Sequence, residues 1–337
     1  MKEKSDVFLI GLGSKLGSEV RTAKEIAKRF NKKTEDVLKN GVTKLFSLSK
    51  EEDIIDFTFW LVIDLLEKTK IDLGEIRGVF GSNNNTAKFL MPSFTACVAN
   101  ELGLQNVICD QIGLGCSGGL QALRNAYNQA IVDAIDGKFG YYLVVAGDQF
   151  NLFLDPNNFG TSTLFSEGVA VMLLSNCHNE RGYKIARIGT KSLLGEDFYS
   201  LNVKNPYHVL NESFGLPKLK MDGLKVFQFA VNTFSDILSL IGLESIDAET
   251  YFIPHQANLR IIDKIIKNNG LIPSQVYTDG IKMIGNTLLA SVFFGLHDAL
   301  KRNIFDKNNP VILGTFGAEL QIGAVLLLPQ RLDLILS

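Results

Sequence analysis

The strongest constraint on this chain is an end-to-end alternation of short β-type apolar runs with longer segments of helical spacing, which requires a layered α/β fold. VFLIGLG (7–13) reads as an opening strand, EEDIIDFTFWLVIDLLEKTK (51–70) as a helix and IRGVFGSN (77–84) as the next strand. SFTACVANELG (93–103) reads as a helix stopped by glycine, followed by strands at 107–115, 140–148 and 167–175. The order then recurs. Residues 220–242 read as helix, 251–255 as strand, 257–270 and 284–302 as helices, and 309–317 and 321–329 as strands. Superposing VFGSN on FIPHQ gives an offset of roughly 170 residues, without matching sequence. Two fused copies of one βα unit are expected, residues 1–178 and 179–337.

Three stretches sit where a β-type run gives way to a turn of small or polar residues, the usual place for a side chain to face a site. The first is Cys116 in LGCSGGLQAL, which opens a segment of helical spacing. Helix N–H groups and the dipole favour a thiolate there, below the usual value of about 8.5. The bland alternative is a small hydrophobe buried at a tight junction. The second is His255 in YFIPHQANLR, a site-loop histidine or a packed one. The third is Asn286 in MIGNTLLASV, a hydrogen-bond donor or an ordinary helix cap. A cysteine with two such donors is equipment for thioester chemistry.

Apolar residues make up 46% of the chain, charged ones 21%, and the net charge is −2, the balance of a soluble globular enzyme. No basic block or aromatic stacking pattern suits nucleic acid, and no apolar run approaches the roughly 20 residues of a membrane span. MKEKSDVFLIGLG lacks a long apolar stretch and cleavage site, so a cytoplasmic protein is expected. Cys97, Cys109, Cys116 and Cys177 form no C-x-x-C pair, and no histidine pair is spaced for a metal; free thiols and no metal site are expected.

Together the stretches resemble the thiolase superfamily, and within it the β-ketoacyl-acyl-carrier-protein synthase III group. PHQANLRII, GNTLLAS and LGCSGG resemble that group's His, Asn and Cys motifs. MPSFTACVANELG, LFSEGVAVMLL, MDGLKVFQFAV and TFGAELQIGAVLL resemble further segments, over most of the chain. The resemblance implies a five-layered αβαβα fold of two pseudo-repeat halves and a catalytic triad of Cys116, His255 and Asn286. It implies an oxyanion hole from the backbone N–H groups of Cys116 and Ala318, and an acyl pocket including Met91 and Phe227, with Phe229 beside it. For the two phenylalanines plain core packing is the equal alternative. Coenzyme A or phosphopantetheine thioesters would be substrates, with no permanently bound cofactor. An acyl-carrier protein would meet Arg260, Lys267 and Asn258, and the enzyme would be a homodimer. The reaction implied is decarboxylating condensation of an acyl-cysteine with a malonyl thioester. Acyl transfer to an alcohol or amine on the same fold is the alternative, and a non-catalytic partner subunit a third.

The chain also departs from the family. Lys39 and Phe159 stand where the family has arginines that clamp coenzyme A, and no tryptophan lies near Lys39. Ala318 and Glu319 replace glycines, and Met91 replaces a phenylalanine that crosses the dimer. A carrier-bound acyl donor is the expectation from these changes, and Glu319 is expected to point to solvent.

Overall fold

The computed structural model describes residues 6–84, 92–113, 115–179, 181–193, 201–203, 219–317 and 320–337, with backbone alone at 201–203 and 220. After β1 (Phe8–Leu16), a ribbon of β2 (Glu19–Thr22) and β3 (Lys44–Ser47) encloses α1 (Ala23–Arg29) and α2 (Thr34–Leu38). Then come α3 (Ile54–Thr69), β4 (Ile76–Ser82), α4 (Phe94–Glu101), β5 (Ile108–Ile112), α5 (Gly118–Ile135), β6 (Tyr141–Asp148), α6 (Phe159–Ser162) and β7 (Gly168–Ser175). A second series begins with β8 (Tyr183–Ser192), the ribbon β9 (Leu201–Val203) and β10 (Leu219–Met221), and α7 (Gly223–Asn232) with α8 (Phe234–Ser239). It continues through β11 (Tyr251–Pro254), α9 (Leu259–Asn268), α10 (Asp279–Met283) and α11 (Ser291–Lys301). The last strands are β12 (Val311–Phe316), β13 (Gln321–Pro329) and β14 (Ile335–Leu336).

Strand pairing repeats. β1–β7 and β7–β6 are antiparallel, while β6–β4 and β4–β5 are parallel. β8–β13 and β13–β12 are again antiparallel, β12–β11 is parallel, and a parallel bridge from Phe252 to Val276 stands in the place of β5. The two series join antiparallel at Phe8–Lys184 and Leu9–Tyr183, and β14 runs parallel to β1 at Gly11 and Leu12.

Alternation along each strand then builds the layers. Ala170, Met172 and Leu174 of β7 face a central core, whereas Val169, Val171 and Leu173 face an outer one beneath α3 and α4. Likewise Val325 and Leu327 of β13 face the centre, and Ile322 and Ala324 an outer core under α7, α8 and α9. Between the sheets lie α5 and α11, touching strands of both series. Alanines at 122, 126, 130 and 134 give α5 a low face that lets strands pack closely. The five layers αβαβα are thus present. α3 shows why an outer helix forms: Asp53 caps it by accepting the Ile55 N–H (2.7 Å), and Ile54, Leu61, Leu65 and Leu66 bury one stripe. Each such apolar side chain contributes about 1.5–3 kcal/mol on burial.

Three readings of the sequence require correction. The helix expected over 220–242 is two, broken at Thr233, whose Oγ1 donates to the Phe229 carbonyl (2.9 Å), while residues 219–221 pair with β9. The helix expected from 284 begins at Ser291, because Leu288 takes a left-handed conformation (φ 51°) that no regular helix accommodates. β8 had no counterpart in the sequence reading. No helix among the described residues is long and apolar enough to cross a membrane.

Candidate active site

Cys116, His255 and Asn286 line one cavity of about 100 Å³, together with Leu164, Phe165 and Phe316. Each arrives from a different element. Cys116 lies in a 3-10 turn, Gly115–Ser117, so α5 opens two residues later than its sequence implied. Gly115 allows the turn with φ 42°, and Ser117 Oγ anchors it by donating to the Gln321 carbonyl (3.1 Å). A Cβ at Gly317 would come within van der Waals contact of the Cys116 nitrogen (3.5 Å), so glycine leaves the space beside this turn unfilled.

His255 follows β11, held by its N–H on the Gly314 carbonyl (2.8 Å). The ring is 1% exposed and packs edge-on against Phe316, with centroids 5.3 Å apart. Burial pushes the imidazole down to about 3, so it is neutral at ordinary pH. Neither ring nitrogen has a hydrogen-bond partner among the described residues, an expensive arrangement for a buried group. A neutral imidazole held this way has an N–H to offer an oxygen in the cavity.

Asn286 acts as a local cap in the structure. Its Oδ1 accepts the Leu288 N–H (2.8 Å), a local cap that supports the left-handed Leu288. That bond fixes the amide plane and leaves Nδ2, two N–H donors, at the opposite end. The backbone is held by the Asn286 N–H on the Leu164 carbonyl and the Ser166 N–H on its own carbonyl, both 2.9 Å. The turns that carry Cys116 and Asn286 touch at Gly119, where a Cβ would sit 2.2 Å from the Leu289 carbonyl oxygen.

The remaining expected site residues fall in several places. Met91, Ala318 and Glu319 lie outside the described residues. Phe227 and Phe229 pack against the outer core, and the cavity wall from α7 is Gly223 and Val226. Arg260 and Lys267 stand exposed on α9, with Arg260 Nε donating to the Lys39 carbonyl (3.1 Å). Asn258 lines the cavity and is committed as the cap of α9, its Oδ1 accepting the Arg260 N–H (2.9 Å). Phe159 is half-buried, edge-on to Phe30 (5.4 Å) and packed against the small core that contains Val37, Leu45 and Ile281. Lys39 pairs with Asp36 at the surface (2.9 Å). Sequence reasoning missed the aromatic and aliphatic walls, Phe165, Phe316 and Ile261, which carry no signal beyond ordinary core hydrophobicity.

Comparison with known proteins identifies the family of the chain. Residues 111–192 match the family model 3-oxoacyl-[acyl-carrier-protein] synthase III, and residues 242–328 match the model of its C-terminal part. The chain is 29% identical to the β-ketoacyl-[acyl-carrier-protein] synthase III of Streptococcus uberis over 83% of its own length and 86% of the relative's. It is 26% identical to the enzyme of that name from Clostridium acetobutylicum, over 96% of this chain and 98% of the other. Among solved structures, a priming β-ketosynthase from a polyketide biosynthetic pathway superposes with a TM-score of 0.83 at 26% identity, covering 98% of both chains.

Proposed function

This chain belongs to the 3-oxoacyl-[acyl-carrier-protein] synthase III family of the thiolase superfamily, and on that footing we propose that it performs a decarboxylating Claisen condensation of thioesters. The observation that carries the reading is the convergence of Cys116, His255 and Asn286 on one cavity. The Cys116 thiolate attacks the carbonyl carbon of an acyl thioester, whose thiolate leaves, forming an acyl-cysteine. The Cys116 N–H, in the turn ahead of α5, with a second N–H from Ala318, serves the oxyanion of that step. A malonyl thioester then loses carbon dioxide. Its enolate oxygen accepts hydrogen bonds from the His255 N–H and Asn286 Nδ2, and its carbanion attacks the acyl-cysteine. The Cys116 thiolate is released, and a β-ketoacyl thioester leaves.

The substrates on this reading are coenzyme A or phosphopantetheine thioesters, with no resident cofactor. Arg260 and Lys267, exposed on α9 beside the cavity, form a cationic face for an acidic carrier protein. Phe159 fills the clamp position with an apolar contact, which favours the carrier over coenzyme A as acyl donor. β5 forms the edge of the sheet with Ile108 exposed, a surface for a second copy of this chain.

The test is direct. Purified protein given acyl and malonyl thioesters should gain the acyl mass on Cys116 and release carbon dioxide, both lost in Cys116→Ala. Acylation followed by transfer to an alcohol or amine, with no carbon dioxide, would replace condensation with heteroatom acyl transfer.

A further inference from the structure

Behind the nucleophile turn stands Asn84, between the ends of β4 and β6. The Gly115 N–H donates to Asn84 Oδ1 (2.9 Å), and Asn84 Nδ2 donates to Asp148 Oδ2 (2.7 Å). The Asp148 carboxylate is 3% exposed at the end of a central strand. A carboxylate at one end of an amide polarises it and strengthens the acceptor at the other. The neighbouring Asn83 fixes the backbone here. Its N–H donates to the Ile112 carbonyl (3.1 Å) and its Nδ2 to the Gly147 carbonyl (2.7 Å), tying the loop to β5 and β6. Gly115 is the first residue of the Cys116 turn and its left-handed φ of 42° has little conformational restraint of its own. The Asn84 bond holds the first residue of that turn, as the Ser117 bond to Gln321 holds its last.

The second series has a matching device. β11 occupies the position of β4 in the repeated strand order, and the Gln256 N–H just beyond it donates to Oγ of Ser291 (2.8 Å), the first residue of α11. Gln256 is itself held, its Nε2 on the Pro254 and Tyr277 carbonyls and its Oε1 on the Ile281 N–H. In the first series a residue leaving the strand holds the turn that leads into a central helix, and in the second it holds the helix start itself.

We propose that Asn84 is a positioning residue for the nucleophile, carrying the fixed place of Asp148 to the Gly115–Ser117 turn and so aiming the Cys116 N–H and sulfur into the cavity. This rests on Cys116 being the acylated group. The test compares wild type, Asn84→Ala and Asp148→Asn by the rate of Cys116 acylation, by iodoacetamide alkylation of Cys116 across pH, and by thermal melting. Asn84→Ala should slow acylation and alkylation about tenfold, the loss of one charge-assisted bond, and move the alkylation midpoint to higher pH, while KM for the malonyl thioester stays put. Asp148→Asn should act in the same direction and less strongly, and it decides the matter if Asn84→Ala does not fold. A lowered melting temperature with wild-type alkylation rate and pH midpoint would overturn the proposal, since Asn84 would then be merely structural. If no thioester acylates Cys116, the condensing reading falls, yet the alkylation comparison still decides whether Asn84 positions the thiol.

Discussion

Because His255 is held neutral by burial, acid should destabilise this protein through that side chain to a predictable extent. In the folded chain the ring stays unprotonated until about pH 3, whereas in the unfolded chain it takes a proton near 6.5. The folded-state value is depressed, so the stability at stake is fully present above pH 6.5 and is lost as pH falls from 6.5 toward 3. pH 5 lies about 1.5 pH units below the unfolded value, which at 1.36 kcal/mol per unit costs about 2 kcal/mol. His297 is also pushed down, to about 4, chiefly by burial, and adds a similar loss at that pH. Urea unfolding at about pH 7.5 and pH 5 should show wild type losing about 4 kcal/mol from the two histidines, and His255→Gln about 2 kcal/mol less. In nuclear magnetic resonance the His255 ring should show no titration between pH 5 and 8. A midpoint near 6.5, or the same pH slope in His255→Gln as in wild type, refutes the argument that a neutral imidazole donates to the enolate.

Three further outcomes follow from the site. Asn286→Ala removes both ends of the amide: condensation should fall by about two to three orders of magnitude, and the freed Leu288 N–H should cost about 1–3 kcal/mol in urea unfolding. Asn286→Asp keeps the cap and loses the donor, so it should retain stability and acylation while losing condensation; unimpaired carbon dioxide release from it would show that Asn286 is only a cap. Gly119→Ala places a methyl against the Leu289 carbonyl and should lower the melting temperature or yield of folded protein sharply, whereas wild-type melting would mean the two turns separate easily. Acyl-carrier protein should acylate Cys116 faster than the matching acyl-coenzyme A, with the advantage shrinking as salt rises, and Arg260→Glu should impair carrier turnover far more than reaction with a short pantetheine thioester; clearly better coenzyme A donors at every salt concentration would refute the carrier preference.

The layered architecture was legible because strand runs and helical runs differ in period, and because the outer helices carry one buried stripe each. The three polar side chains that meet at the cavity were legible because each sits in a distinctive local motif. What escaped had physical causes. Val226 faces the cavity while Phe227, about 100° further round the same helix, packs outward, and the size of a phenylalanine is no guide to its phase. The break at Thr233 depends on a side chain bonding back to its own helix, and Thr is not by itself a stop signal. β8 interleaves Lys184 and Arg187 with Ile185 and Ile188, a pattern too polar to stand out between longer apolar runs. Asn84 lies in a loop without period, and its role exists only through Gly115 and Asp148, distant in sequence. Asn286 presented two readings that looked exclusive, though an amide has two ends, and capping Leu288 with one leaves the other over.

The shared central layer has a consequence for how the chain is made. Ala170, Met172 and Leu174 of β7 and Val325 and Leu327 of β13 belong to one core, filled between them by α5 and α11. When the ribosome has delivered the chain only through β7, the inner faces of β1, β6 and β7 lack α11 and the strands of the second series. A nascent chain at that stage presents a broad apolar face to the cell until roughly another 150 residues emerge, which at ordinary elongation rates takes about 8–30 s. Such an interval is ample for sticking to other chains, so soluble yield should depend on chaperone supply and elongation rate more than on the stability of the finished protein.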